Sequence, residues 1–301
     1  MKNKKIVVII IIVLFVITMS VSALYTKKIY KNLIKPIKIK EEEYNNLKQE
    51  ENKLDILLKS EISSNKKMKK KIEENKRKKE IYEKEITDYR IKNNIKVIYL
   101  TFDDGPSIYT MDILNTLDKY NVKATFFVTC SDNLENISKE IIKRGHTIAL
   151  HTCTHKYSYV YANENNYYED LNKISNLVKQ YTGIESKYVR FPGGSSNTIS
   201  RAYNKGIMTR LSQDLTQKGY KYYDWNIDSN DAGGANSEQE YANVVGALQN
   251  SDRGTNMVLM HDVKISTRDS LDGIIKAALD MGYTFSSIND YTTEIHHGVN
   301  N

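Results

Sequence analysis

Cysteine, proline and tryptophan are scarce: the 301 residues include two Cys, three Pro and one Trp. With only Cys130 and Cys153 present, a disulfide framework and a cysteine-rich zinc site are both excluded. Each follows an apolar run that reads as a strand, so a single bridge is one reading. Two small, semi-buried thiols is the preferred one. Glycine and proline are absent from residues 38–93, which removes the usual turn signals from that stretch. Acid is absent from residues 1–26, which carry three lysines, and residues 6–26 carry no charge at all. An excess of base is absent from the C-terminal two thirds. The formal net charge of +7 arises upstream, because residues 27–96 carry 22 Lys and Arg against 13 Asp and Glu, whereas 97–301 carry 19 against 24. A nucleic-acid partner is therefore not expected; the basic stretch suits anionic lipid headgroups or wall polymers.

Residues 1–26 read as a cytoplasmic tip and a transmembrane anchor. Lys2, Lys4 and Lys5 precede an apolar run long enough to span a hydrocarbon core of roughly 30 Å. A cleaved signal peptide is the rival, since Val21 and Ala23 form a small-residue cleavage site. Either way the rest of the chain is expected outside the cytoplasm, as a single-pass protein of the cell membrane or, if cleaved, as a secreted one. Residues 27–96 read as a basic helical stalk. Leu47, Leu54, Leu58 and Ile62, then Met68, Ile72, Tyr82, Ile86 and Tyr89, recur loosely, and Asn75 and Lys79 interrupt the seam. The stalk is expected to be a weak, dimerising coiled coil or a solvated spacer.

From Lys96 the texture changes. Apolar runs such as "VIYLTF", "ATFFVT", "TIALHT", "YVRFP", "YKYYDWNI", "MVLMHD" and "TFSSI" alternate with helical stretches at 109–120, 132–144, 166–181, 237–250 and 267–281. Strands separated by helices imply βαβ units and a parallel sheet. The expected fold of 97–301 is α/β, a distorted (β/α) barrel of about seven parallel strands. Chemistry in such folds collects at the C-terminal strand ends. Polar groups stand there: Asp103 and Asp104, His151, Arg190, Asp228 and Asp231, and His261.

His151 and His155 in "HTCTH" are spaced i, i+4, which puts both imidazoles on one face of a helical turn or a tight helical loop. Two histidines and a carboxylate, for which Asp104 is the natural choice, make a three-ligand site with open positions. Five motifs in order, "TFDDG" (101–105), "HTCTH" (151–155), "RFPGG" (190–194), "DSNDA" (228–232) and "LMH" (259–261), resemble the polysaccharide deacetylase family, carbohydrate esterase family 4. The resemblance spans 97–290 and leaves the stalk untouched.

It implies metal-dependent hydrolysis of acetyl groups on a polysaccharide. Asp104, His151 and His155 would hold a divalent metal, zinc first, with Co2+, Ni2+, Mn2+ or Fe2+ as alternatives. Asp103 would be the general base, Arg190 its partner, and His261 the acid for the leaving amine. Asp231, with Asp228 as the other candidate, would tune that histidine. A backbone N–H near Gly193 would face the oxyanion and Leu259 would line the acetyl pocket. Two departures open the groove: Gly193 stands where relatives often carry an aromatic residue, and Ala232 where they carry tryptophan. Trp225, the only tryptophan, is read as core, with compensation for the missing groove aromatics as the alternative; His146 is read as structural, and His296 and His297 as parts of a polar tail.

The resulting expectation is a deacetylase of N-acetylglucosamine in peptidoglycan. Another acetylated glycan (N-acetylmuramic acid, chitin-like or O-acetylated) and a non-catalytic glycan-binding scaffold are the alternatives.

Overall fold

The computed structural model describes residues 19–20, 22–24, 27–28, 30–60 and 66–301. Most of the expected anchor, residues 1–18, 21, 25 and 26, lies outside these. Among the described residues, no helix is long and apolar enough to cross a membrane.

Two long helices come first, α1 (Lys35–Ser60) and α2 (Lys66–Lys92). Lys40 pairs with Glu85, Tyr44 with Glu83, Glu50 with Lys71 and Glu51 with Lys79. Rising numbers in α1 meet falling numbers in α2, so the helices are antiparallel neighbours within one chain. They also lie on the domain that follows. Arg90 donates to the Phe285 carbonyl at 3.1 Å and Lys48 reaches Thr147 Oγ1 at 3.5 Å. Asn52 donates to the Ile142 carbonyl. Ile37, Ile86 and Ile95 are buried together with Ile34, Tyr44 and Tyr89 around them. This corrects the expectation of a solvated spacer, since the helices pack on each other and on the domain that follows. Opposite charges on α1 and α2 pair with each other within the chain.

The α/β domain follows as β1 (Val97–Asp103), α3 (Thr110–Lys119), β2 (Thr125–Val128), α4 (Leu134–Lys143), β3 (Thr147–Leu150), α5 (Tyr157–Val160) and α6 (Glu164–Thr182). Then come β4 (Tyr188–Val189), α7 (Ile207–Gln217), β5 (Lys221–Tyr222), β6 (Ile227–Asp228), α8 (Ser237–Gln249), β7 (Thr255–His261), α9 (Ile265–Asp280) and β8 (Thr284–Phe285). All pairings are parallel, in the order β5-β4-β3-β2-β1-β7-β6, with β8 added beside the start of β1. No ladder joins β5 to β6 among the described residues, so seven strands curve into a half-barrel. The run "YKYYDWNI" is two short strands rather than one, and α7 was not foreseen.

Alternation in β1 sorts the core. Ile98, Leu100 and Phe102 face the helices, while Val97 and Tyr99 join Phe127, Ala149, Tyr223 and Met257 inside the half-barrel. Asp103 continues the inward set. The β1–β7 register places it opposite His261, which is inward by the same alternation.

Candidate active site

Asp104, His151 and His155 each offer a ligand atom, all within 4.8 Å of one another. Asp104 Oδ1 lies 3.5 Å from Nε2 of both histidines. That oxygen is buried and has no hydrogen-bond partner. His151 Nδ1 donates to the Arg190 carbonyl at 2.8 Å, which leaves Nε2 with the free lone pair that a metal requires. Burial and the neighbouring His155 push the His151 imidazole down to about 3, so it is neutral near pH 7. An orphaned buried oxygen between two imidazole nitrogens fits a divalent cation.

The local backbone explains how these groups meet. Asp103 points inward from the strand, and Asp104 turns back to the same cleft because its φ is +71°. This αL conformation is uncommon outside glycine. Gly105 lets the turn close on β7: a Cβ there would stand 2.0 Å from Asp262 Oδ1. The "HTCTH" segment is no helical turn; Thr152 and His155 have φ of +62° and +54° and bend it into a loop. The two imidazole centroids end up 4.8 Å apart.

Asp103 is buried and accepts from Arg190 Nη1 at 2.8 Å, with its other oxygen 3.6 Å from His151 Nε2. Burial raises it above the usual carboxylate range, against the opposing pull of Arg190 and His261. Arg190 is fully buried. It also donates to Thr101 Oγ1 at 2.8 Å, to the Tyr223 carbonyl at 2.8 Å and to the Asp224 carbonyl at 3.0 Å, with the Phe127 ring 4.2 Å from its guanidinium carbon. A buried guanidinium needs this many partners to offset its desolvation.

His261 Nδ1 bonds Asp231 Oδ1 at 2.8 Å, and the His261 N–H donates to Asp231 Oδ2 at 2.6 Å. Thr267 donates to that second oxygen at 2.8 Å. Burial disfavours the imidazolium, but the Asp231 hydrogen bond and the charges of Asp103, Asp231 and Asp104 outweigh it and raise His261 to about 9. Of the two candidate aspartates, Asp231 is the one beside His261; Asp228 is exposed and accepts the Asn230 N–H at 2.7 Å.

At the rim, Gly193 is exposed with φ +74°, and its N–H meets no acceptor among the described residues. Leu259 is buried on the inward face of β7, two residues before His261, and belongs to neither apolar cluster of the half-barrel. Gly194 makes room for Trp225, which would stand 2.9 Å from a Cβ there. Trp225 is thus half-buried at the rim rather than in the core. His146 is fully buried and accepts the Ala124 N–H at 3.2 Å.

Several participants escaped sequence reasoning. Cys130 and Cys153 form a disulfide with Cα atoms 4.6 Å apart, which corrects the thiol reading. Their strands β2 and β3 are adjacent and parallel, so the residues just past them are neighbours. Asp170, buried on α6, accepts the Cys153 and Thr154 N–H groups at 2.6 and 2.8 Å. Asp262 is buried beside the Gly105 turn, accepts Thr110 Oγ1 at 2.5 Å and is raised to about 7, chiefly by burial. Asp224 is buried and accepts from Ser195 N at 2.8 Å and His297 N at 2.7 Å, so the tail is strapped to the rim. His296 stacks on Tyr222 with ring centroids 3.8 Å apart. A sidedness count of the acidic residues on α6 would have flagged Asp170; nothing local marks the others.

The cleft therefore combines a three-ligand set, a buried carboxylate fixed by arginine, an imidazole protonated at neutral pH and a free backbone donor. That set can take a proton from a water as it adds to a carbonyl and can protonate a departing amine. Comparison with known proteins identifies the family. Residues 90–210 match the family model described as polysaccharide deacetylase. A peptidoglycan-N-acetylglucosamine deacetylase of Bacillus cereus is 32% identical over 68% of this chain and 72% of its own. The catalytic domain of a peptidoglycan N-acetylglucosamine deacetylase from Eubacterium rectale superposes with a TM-score of 0.66 at 44% identity, over 68% of this chain and 94% of that one. A polysaccharide deacetylase structure from Bacillus cereus gives a TM-score of 0.58 at 29% identity, over 67% and 96%. The chain belongs to the polysaccharide deacetylase family, carbohydrate esterase family 4, whose members are hydrolases acting on amide bonds.

Proposed function

We propose that this protein is a membrane-anchored, metal-dependent deacetylase of cell-wall glycan, acting on N-acetylglucosamine of peptidoglycan. The observation that supports it most is the meeting, in one cleft, of the Asp104–His151–His155 set with the Asp103–Arg190 and His261–Asp231 pairs. The first three residues hold a divalent cation, zinc being the first choice for two imidazoles and one carboxylate and Co2+, Ni2+, Mn2+ or Fe2+ the alternatives. When bound, the cation polarises the acetamide carbonyl and acidifies an adjacent water. Asp103 accepts the proton of that water as it attacks. Arg190 keeps the carboxylate aimed and compensates its burial. The Gly193 N–H donates to the carbonyl oxygen as negative charge grows there. His261 then gives its proton to the amine nitrogen while the C–N bond breaks, and Asp231 holds the imidazole in line. Leu259 borders the acetyl methyl. Acetate and a free amine leave.

The choice of peptidoglycan follows the names carried by the relatives from Bacillus cereus and Eubacterium rectale. The location follows the lysines and uncharged run of residues 2–26. The test is acetate release by the full-length protein in detergent from peptidoglycan, chitin oligomers and acetylxylan. The expected result is preference for peptidoglycan, loss with chelator and recovery with zinc. Chelator-resistant release, or no release from any of the three by metal-loaded protein, overturns the reading.

A further inference from the structure

Gly193 leaves a gap in the cleft wall, and the structure shows what fills it. A Cβ on Gly193 would stand 2.8 Å from the Tyr157 hydroxyl and 3.5 Å from the ring carbon that bears it. Tyr157 opens α5, immediately after the "HTCTH" loop. Its ring lies against that of His155, with centroids 5.4 Å apart at 53°. Behind it stacks Tyr161, 5.9 Å away and nearly parallel, and behind that Tyr167 at 6.5 Å. Tyr161 is fully buried and donates to the Pro192 carbonyl at 2.7 Å, which ties this column of rings to the turn carrying Gly193. The Tyr157 ring is therefore held in place from behind, and its hydroxyl makes no hydrogen bond among the described residues.

We propose that Tyr157 is a substrate-contacting residue that replaces the missing side chain at Gly193: its ring walls the cleft beside His155, and its hydroxyl hydrogen-bonds the sugar that carries the acetamide. The inference rests on the deacetylase reading above. Two donors with no partner among the described residues, the Tyr157 hydroxyl and the Gly193 N–H, lie at the same turn. The ligand chemistry that uses both is an N-acetylated sugar, with a carbonyl oxygen for one and ring or hydroxyl oxygens for the other. A wall supplied from α5 instead of the 190–194 turn leaves Gly193 backbone exposed, so a polymer chain can lie across it.

The test compares full-length wild type, Tyr157→Phe and Tyr157→Ala. Zinc content is measured by emission spectroscopy. Binding of the N-acetylglucosamine tetramer to metal-free protein is measured by calorimetry, and acetate release at steady state. Tyr157→Phe is expected to keep its zinc and its kcat within about twofold while Kd and KM rise about three- to tenfold, the cost of one hydrogen bond. Tyr157→Ala loses the ring as well, and both constants rise about tenfold or more. A Tyr157→Phe protein with wild-type Kd and KM overturns the inference, as does a fall in kcat alone. Loss of zinc in Tyr157→Phe also overturns it, by assigning the phenol to support of His155. Wild-type turnover with an unaltered variant sinks this inference alone. Neither binding nor turnover by wild type sinks the deacetylase reading, and this one with it.

Discussion

Asp103 and Asp104 are neighbours in sequence and unlike in environment. One is buried against a guanidinium; the other carries an unpartnered oxygen between two imidazoles. Asp103→Asn should keep zinc at wild-type stoichiometry and lose about 10²–10⁴ in acetate release, the usual range for a general base. Loss of zinc in that variant would reverse the assignment of the two aspartates. His261 carries a sharper signature. Raised to about 9, it stays protonated through neutral pH, so kcat should fall only as pH climbs through that value. Asp231→Asn removes the negative charge that helps raise it, and the basic limb should move to lower pH by at least about one unit. A pH–kcat profile with an unmoved limb would remove Asp231 from this role. At this scale much was legible, since residue type and motif order named Asp103, Asp104, His151, His155, Arg190 and His261, although not Tyr157, Asp224 or Asp262 around them. What it could not disclose was conformation: a positive φ at Asp104 leaves no mark in "TFDDG". Nor could it decide between Asp228 and Asp231, because only Ser229 and Asn230 separate a carboxylate facing solvent from one facing His261.

The ligand loop is the element under most constraint. Thr152 and His155 both occupy the left-handed region, which costs roughly 1–2 kcal/mol per residue without glycine. The Cys130–Cys153 bridge fastens the middle of the loop to the end of β2, and Asp170 takes two of its N–H groups. These ties hold the two imidazoles at one spacing. Reduction of the bridge, or Cys130→Ser with Cys153→Ser, should therefore weaken zinc affinity by about tenfold, in line with losses on removing supports around metal ligands. Chelator competition with and without reductant measures this, and equal affinities would show that the loop holds itself. Strand and helix positions came through well from periodicity, because apolar runs and helical stretches alternate cleanly. The bridge did not, because it depends on which strands are neighbours in the sheet rather than on spacing in the chain.

In the whole molecule, the hairpin of α1 and α2 is part of the folded body. Helicity was legible from composition; docking was not, since Lys48, Asn52 and Arg90 make their contacts with Thr147, Ile142 and Phe285, 90 or more residues away. A protein cut to 97–301 should melt on the order of 5 °C lower than one that keeps residues 30–301, since it exposes the face covered by the hairpin. Equal melting temperatures by calorimetry would mean that the hairpin merely rests there. The hairpin also sets a radius of action. Its 26 and 27 residues amount to about 80 Å of helix, yet the antiparallel fold returns the chain to its start, where Tyr89 bonds the Asn32 carbonyl at 3.0 Å. On the proposed anchorage, almost none of that length becomes distance from the bilayer. The α/β domain would then be confined to a shallow layer next to the membrane.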